Sequence, residues 1–279
     1  MLTFVTAVRH PLNSSSYDRV GALDATLQSV CRQTDPDFRV VVVCNTKPAV
    51  TIDDPRIEFV EVGFAAPSHE RTAEIDYNTG VIDKGAKLAV GVIVARHHQP
   101  DHLMFIDCDD LLHHGVAEFV NQRVGHPGWF APSGYLHTLG TNFLQPMAED
   151  FHHKCGSSGI VRTDLIPVPA GLSAAASKDE VIEAIGADLL YRLLGTHGKW
   201  EDYLRPSGVT IEPLPFPAAV WMIGTGENAS GNLVSSRSRS PIGPEITEAF
   251  GLSSPGRLSS AVRQAQIMVH RAVRRVRRR

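Results

Sequence analysis

The chain has no run approaching the ~20 apolar residues of a membrane-spanning helix, so none is expected. Cysteine is scarce. The four, Cys31, Cys44, Cys108 and Cys155, include no C-x-x-C pair. That excludes a disulfide-held mini-protein and leaves free thiols in a reducing cytoplasm as the expectation. No basic segment precedes the first apolar run, so Leu2–Val8 reads as a strand rather than a signal peptide. No internal repeat is found. A large excess of charge is also missing: the net is −3. What is present is core material. With 279 residues, 43% of them hydrophobic, the chain can fill one large domain or two small ones. A disordered chain is thereby excluded.

The small net charge hides two unlike parts. From Phe250 onward there are eight arginines and no acid, which leaves residues 1–249 at −11. Leu258, Val262, Ala265, Val269, Ala272, Val273 and Val276 share one helical stripe, spanning roughly 100° of arc. Arginines fill the rest of that wheel. A basic amphipathic helix over 249–279 is expected. Its stripe suits the domain's own core or an anionic membrane surface, and non-specific nucleic-acid contact is the third reading. Membrane contact is the expectation favoured, with no specific nucleic acid as partner.

The first hundred residues alternate strand and helix signals. Strands are expected at Leu2–Val8, Phe38–Cys44, Arg56–Val62 and His102–Ile106, with helices from Asp18 and over Asp83–Ala95. The continuous apolar run Phe38–Cys44 predicts a strand buried on both faces. This alternation predicts an α/β fold with a mostly parallel sheet flanked by helices. Further on, Val116–Val124 and Val181–Leu194 read as helices. Trp129–Tyr135 and Gly159–Arg162 read as strands. Val209–Trp221, broken by prolines, reads as edge strand and loop. Residues 224–248, rich in Gly, Ser and Arg, read as a mobile loop or linker.

The strongest chemical signal is Phe105-Ile106-Asp107-Cys108-Asp109-Asp110, an acidic turn directly after a buried strand. Open α/β sheets place ligands at the carboxyl ends of their strands. Carboxylates this close repel one another unless a cation intervenes, and a hard divalent ion suits oxygen ligands. The alternative is a surface turn in which Asp110 caps the next helix.

Thr26-Leu27-Gln28-Ser29-Val30-Cys31-Arg32-Gln33-Thr34, followed by Asp37-Phe38-Arg39-Val40-Val41-Val42-Val43, resembles the opening of family 2 glycosyltransferases of the GT-A fold. Ile106–Asp110 is similar to that family's D-x-D element. The resemblance covers residues 1–125 and is thin beyond. It implies a catalytic domain over 1–223, with a nucleotide-binding half (1–125) and an acceptor half (126–223). It implies transfer of a sugar from a nucleoside diphosphate sugar, a UDP-sugar foremost, to a glycan or lipid-linked acceptor. The implied reaction is inverting and uses Mn²⁺ or Mg²⁺. The implied site places Asp109 on the metal, Asp107 on the ribose, the sugar or the metal, and Asp110 beside them. The implied place of action is the cytoplasm, or the inner face of the membrane.

Other positions are assigned by place. Thr6 and Arg9 at the end of the first strand, and Asn45 at the end of the second, would line the nucleotide pocket. Asn45 stands where many relatives carry an acidic pair. Asp83, Lys84 and Lys87 would reach the base, ribose or diphosphate, or simply open a solvated helix. Ser157, in a small-residue loop, would meet the donor sugar. His197 is a candidate fourth metal ligand, since neutral imidazole suits Mn²⁺. The paired histidines read mostly as surface, with His113 and His153 nearest the cleft. No E-D pair stands where the family places its general base, so the candidates are Asp179 or Glu180 before the helix, Asp188 on it, and Glu201 or Asp202 after it, with Asp188, Glu201 and Asp202 ranked first. The enzyme rival is a sugar nucleotidyltransferase, against which stands the absence of a Gly-rich basic loop after the first strand. The other rival is a non-catalytic sugar- or membrane-binding relative.

Overall fold

The computed structural model describes residues 1–13, 19–67, 73–197, 199–223 and 239–252. The strands are β1 (Leu2–Ala7), β2 (Phe38–Cys44), β3 (Ile57–Glu61), β4 (His102–Ile106), β5 (Leu111–Leu112), β6 (Gly128–Phe130), β7 (Gly134–Thr138), β8 (Phe143–Met147), β9 (Gly159–Arg162), β10 (Glu212–Pro213), β11 (Ala219–Ile223) and β12 (Ser240–Pro241). The helices are α1 (Arg19–Val30), α2 (Ala73–Arg96), α3 (Val116–Asn121), α4 (Lys178–Ile185), α5 (Ala187–Leu189), α6 (Trp200–Leu204) and α7 (Pro244–Phe250). A π-helical stretch, Leu190–Gly195, follows α5 directly.

Seven strands form one sheet in the order β10-β6-β9-β4-β1-β2-β3. β1 pairs in parallel with both β2 and β4, and β2 with β3, while β9 runs against β4 and β6. This is the mostly parallel central sheet flanked by helices that the sequence predicts. Strand alternation assigns its faces. Val5, Val41, Val43, Leu103 and Phe105 pack with Leu88, Ala89 and Val92 of α2. Leu2, Phe4, Val40, Val42, Met104 and Ile106 pack on the other side with Leu23 and Leu27 of α1 and Val116 of α3. A second sheet, β12-β8-β7-β11-β5, adjoins that side.

Several elements differ from expectation. α2 begins at Ala73, ten residues before Asp83. The Trp129–Tyr135 run splits into β6 and β7, which belong to different sheets, with Pro132 between them. The expected helix Val181–Leu194 is broken at Gly186, whose φ of 89° is open to glycine. β11, expected as edge and loop, is wholly buried between β7 and β5, and of the Val209–Trp221 stretch the short β10 alone lies at a sheet edge. Part of the expected loop is ordered: β12 pairs with β8, and α7 buries Phe250. Phe250 ends α7, so the described part of 249–279 does not begin a long helix. The arginine-rich remainder, 253–279, lies outside the described residues, as do 224–238. Among the described residues no helix is long and apolar enough to cross a membrane.

Candidate functional site

β4 delivers Asp107 to the carboxyl edge of the sheet, beside the end of β1. After β1 the chain adds β2 and β3 on one side, then returns to place β4 on the other. The crevice between β1 and β4 is therefore a topological switch point, where open α/β sheets bind ligands.

The turn is held by the loop that leads into β9. Ser157 Oγ accepts the Asp107 N–H at 2.9 Å and donates to Asp110 Oδ2 at 2.7 Å. The Cys155 thiol donates to the same oxygen at 3.3 Å, and the Met222 N–H to Asp110 Oδ1 at 3.0 Å. Asp110, expected near the metal, is buried with both oxygens engaged by protein donors. Its carboxyl is pushed well above the ordinary value by burial and by Asp109 and Asp107. It ties the turn to β11 and the Ser157 loop.

Asp107 Oδ1 forms an ion pair with Lys84 of α2, and both side chains are about a quarter exposed (26% and 27%). Burial pushes the Asp107 carboxyl up, but Lys84 and the Gly156 N–H bring it below its usual range. Burial likewise depresses the Lys84 ammonium, and Asp107 more than offsets this. Both groups are charged. The Cys108 thiol between the acids is driven up to about 12 by burial, Asp109 and Asp107, so no thiolate forms there at neutral pH. Asp109 is half-buried.

His197 packs against the same loop. Its Nδ1 lies 2.7 Å from the Gly156 carbonyl and so carries the proton. Its Nε2 is buried without a partner and presents a lone pair. Burial and the Lys84 cation push the imidazole down to about 3, so it is neutral. Its φ of 59° is left-handed, unusual for a residue with a side chain and common at functional sites. Gly156 makes the approach feasible: a Cβ there would meet Asp107 Oδ2 and lie 2.8 Å from His197 Nδ1.

The other nucleotide-side residues divide. Thr6 is fully buried beneath the switch point, its Oγ1 without a partner. Arg9 is exposed, and its charge reaches Cys108. Asn45 Nδ2 donates to the Val62 and Phe64 carbonyls, and its Oδ1 is buried without a partner. Asp83 and Lys87 are internal. They pair at 2.8 Å, Asp83 also takes Lys178 at 2.8 Å, and Lys87 donates to the Val8 carbonyl. They tie α2 to α4 and to the end of β1, and Lys87 is too buried to meet a solvent-borne ligand.

On the acceptor side, Asp188 is 72% exposed and held 2.6 Å from Arg192 Nε. Asp202 is 62% exposed, with Arg205 at 3.4 Å and Lys199 at 4.0 Å. Glu201 is 34% exposed and meets His152 at 3.2 Å. His152, read from sequence as surface, is thus a site neighbour that sequence reasoning missed; nothing local separates it from the exposed His153 beside it. His113 lies under α7, its ring against Phe216 and Phe250. The four cysteines are unpaired.

No known family's profile matches the chain, and no curated protein does. Among solved structures, two of S. aureus TarS are similar in part. The 1–349 form has 13% identity and a TM-score of 0.40 over 79% of this chain. The longer form has 14% identity and a TM-score of 0.37 over 80%. This chain spans 60% of the length of the first and 36% of the second.

Proposed function

We propose that the protein is a glycosyltransferase that takes a sugar from a nucleoside diphosphate donor, a UDP-sugar foremost, to an acceptor hydroxyl of a glycan or lipid-linked glycan. The observation that carries this is the charged pair Asp107–Lys84 at the β1/β4 switch point, backed by the Ser157 loop and His197. A nucleoside diphosphate needs cationic and N–H donors for its phosphates and a carboxylate for ribose or sugar hydroxyls. Lys84 supplies the cation and Asp107 the carboxylate, each held ionised by the other. Arg9, exposed at the rim, adds positive charge.

A divalent ion fits this donor set in a limited way. Among the described residues no three His, Cys, Asp or Glu form a cluster that could hold one. Mg²⁺ needs only one or two carboxylates when phosphate oxygens complete its shell. Asp109 and the unpartnered Nε2 of His197 are the groups that would hold Mn²⁺ or Mg²⁺, with Asp110 already committed. Such an ion, when bound, offsets charge on the departing diphosphate. Inversion at the anomeric carbon is the stereochemistry the family resemblance implies.

Titration of UDP-, GDP- and dTDP-sugars into the protein, with product analysis, tests the reading. At least one is expected to bind and be cleaved, with turnover requiring Mn²⁺ or Mg²⁺ and abolished by Asp109→Ala. Full activity in that variant would remove the metal role. Pyrophosphate release in place of nucleoside diphosphate would favour a nucleotidyltransferase, and no binding at all would end the proposal.

A further inference from the structure

We propose that Lys84 is an internal cation that holds the acidic turn closed until a diphosphate draws it away, so that a divalent ion and the donor bind as a coupled pair. This rests on the glycosyltransferase reading and adds an order of events to that same site.

The position of the charge comes first. The Lys84 ammonium is bonded to Asp107 Oδ1, and its charge is felt at Asp109, at Cys108 and at the His197 ring. Asp109 and His197 are the groups that would hold the ion, so a cation already stands among them. It offsets part of a turn that sets three carboxylates within four positions. It also repels a second cation. While Lys84 stays on Asp107, a divalent ion is opposed at the place that would take it.

The two members of the pair differ in freedom. Asp107 is pinned. Its N–H donates to Ser157 Oγ at 2.9 Å, the Gly156 N–H holds its carboxylate, and a Cβ on Gly156 would clash with its Oδ2. The backbone under Lys84 is pinned as well, because α2 meets the Leu190 carbonyl through Gly85, where a Cβ would strike it. What can move is the four-carbon stem of Lys84. That side chain is 27% exposed, against 1% for Lys87 one turn on. Lys87 is bound by both Asp83 and the Val8 carbonyl. Lys84 has Asp107 as its one ion-pair partner among the described residues. An ammonium on a long, partly exposed stem changes partners without any shift of backbone.

A diphosphate at the switch point offers that ammonium a competing anion. Lys84 passes from Asp107 Oδ1 to a phosphate oxygen. The Asp107 carboxylate is released to the hydroxyls of the donor, and the ammonium no longer opposes an ion at Asp109 and His197 Nε2. Only ion pairs are exchanged; no covalent bond is made or broken. Ion and donor then each raise the affinity for the other by the same factor, as linkage requires.

The test titrates Mn²⁺ into the full chain, reads free Mn²⁺ by electron paramagnetic resonance, and repeats the titration with UDP present. Lys84→Met keeps the stem and removes the charge. Without nucleotide it should bind Mn²⁺ about tenfold tighter than wild type, or more, since a unit charge no longer faces a double one at close range. Lys84→Arg keeps the charge and should bind nucleotide-free Mn²⁺ as weakly as wild type. UDP should tighten Mn²⁺ binding in wild type and do so much less in Lys84→Met. Lys84→Met also leaves Asp107 without its counter-charge, so its melting temperature should fall, and Mn²⁺ should restore it. An unchanged or weaker nucleotide-free Mn²⁺ affinity in Lys84→Met would overturn the proposal. So would a melting temperature that Mn²⁺ does not restore, or equal tightening by UDP in both proteins. The nucleotide-free measurements hold whether or not the protein transfers a sugar. A wild-type protein that binds no nucleotide sugar would instead overturn the underlying reading, and the coupling with it.

Discussion

Lys84 and Lys87 lie three residues apart on α2, and the fold puts them to different uses. Lys84 reaches the switch point and pairs with Asp107. Lys87, 1% exposed, is enclosed with Asp83 at 5%. Burial draws the Lys87 ammonium below its usual value, and Asp83 opposes this. An enclosed pair is costly to break, because the survivor keeps its charge without its partner. Asp83→Asn, which strands the Lys87 ammonium, should therefore destabilise the fold by about 3–5 kcal/mol in denaturant titration, whereas Lys87→Met leaves Asp83 its second partner, Lys178. The double change Lys87→Met with Asp83→Asn should recover much of that. A loss under ~1 kcal/mol, the range of exposed pairs, would mean that water reaches the pair. From sequence both lysines were equally good phosphate ligands. Only the covering of α2 by its neighbours separates them.

At the scale of elements, the union of α2 with the π-helical stretch after α5 positions the site. A Cβ on Gly85 would strike the Leu190 carbonyl, and one on Gly195 the Val81 backbone and side chain. Two backbones meet where ordinary side chains would hold them apart. That contact sets the direction in which the chain leaves toward His197 and Trp200. Gly85→Ala should therefore cost at least the usual 1–3 kcal/mol of overpacking, roughly, read as a lowered melting temperature. Nucleotide-sugar turnover should fall further than stability alone explains. Unchanged turnover would show that the contact does not position His197. Periodicity made α1, β2 and β4 legible because each has an unbroken apolar face. It failed at Trp129–Tyr135, where one apolar run serves two sheets. It failed again at α2, whose early turns are too polar to show a stripe.

At the scale of the whole molecule, burial holds several histidines neutral. His113 is pushed down to about 4 by burial and His114, and His197 to about 3 by burial and Lys84. His102 and His137 are also lowered by burial. In the unfolded chain such groups bind protons below their ordinary value near 6.5. The unfolded state then holds more protons than the folded one, so stability falls as pH falls. The loss should begin near pH 6.5 and continue to about pH 3, with no contribution from these groups above that window. For His197 alone the slope should reach about 1.4 kcal/mol per pH unit. Denaturant midpoints at pH 7, 6, 5 and 4 give the measurement. Asp110, raised in the folded state, works in the opposite sense, so the measurement is made in the Asp110→Asn background, where a stability flat across that range would contradict the burial of these rings.

The sequence by itself determined the α/β class, the doubly buried strands and the acidic turn at the end of β4. Each of these is written in neighbouring residues: apolar runs, helical spacing, acids following a strand. Tertiary structure decided which acids and bases remain to do chemistry. Asp110 is spent on Ser157, Cys155 and Met222, and Asp83 on Lys87 and Lys178. Glu201 meets His152 across 49 positions of chain. Such pairings depend on which surfaces the packed layers bring within hydrogen-bond reach, and the local pattern of the sequence carries no record of that.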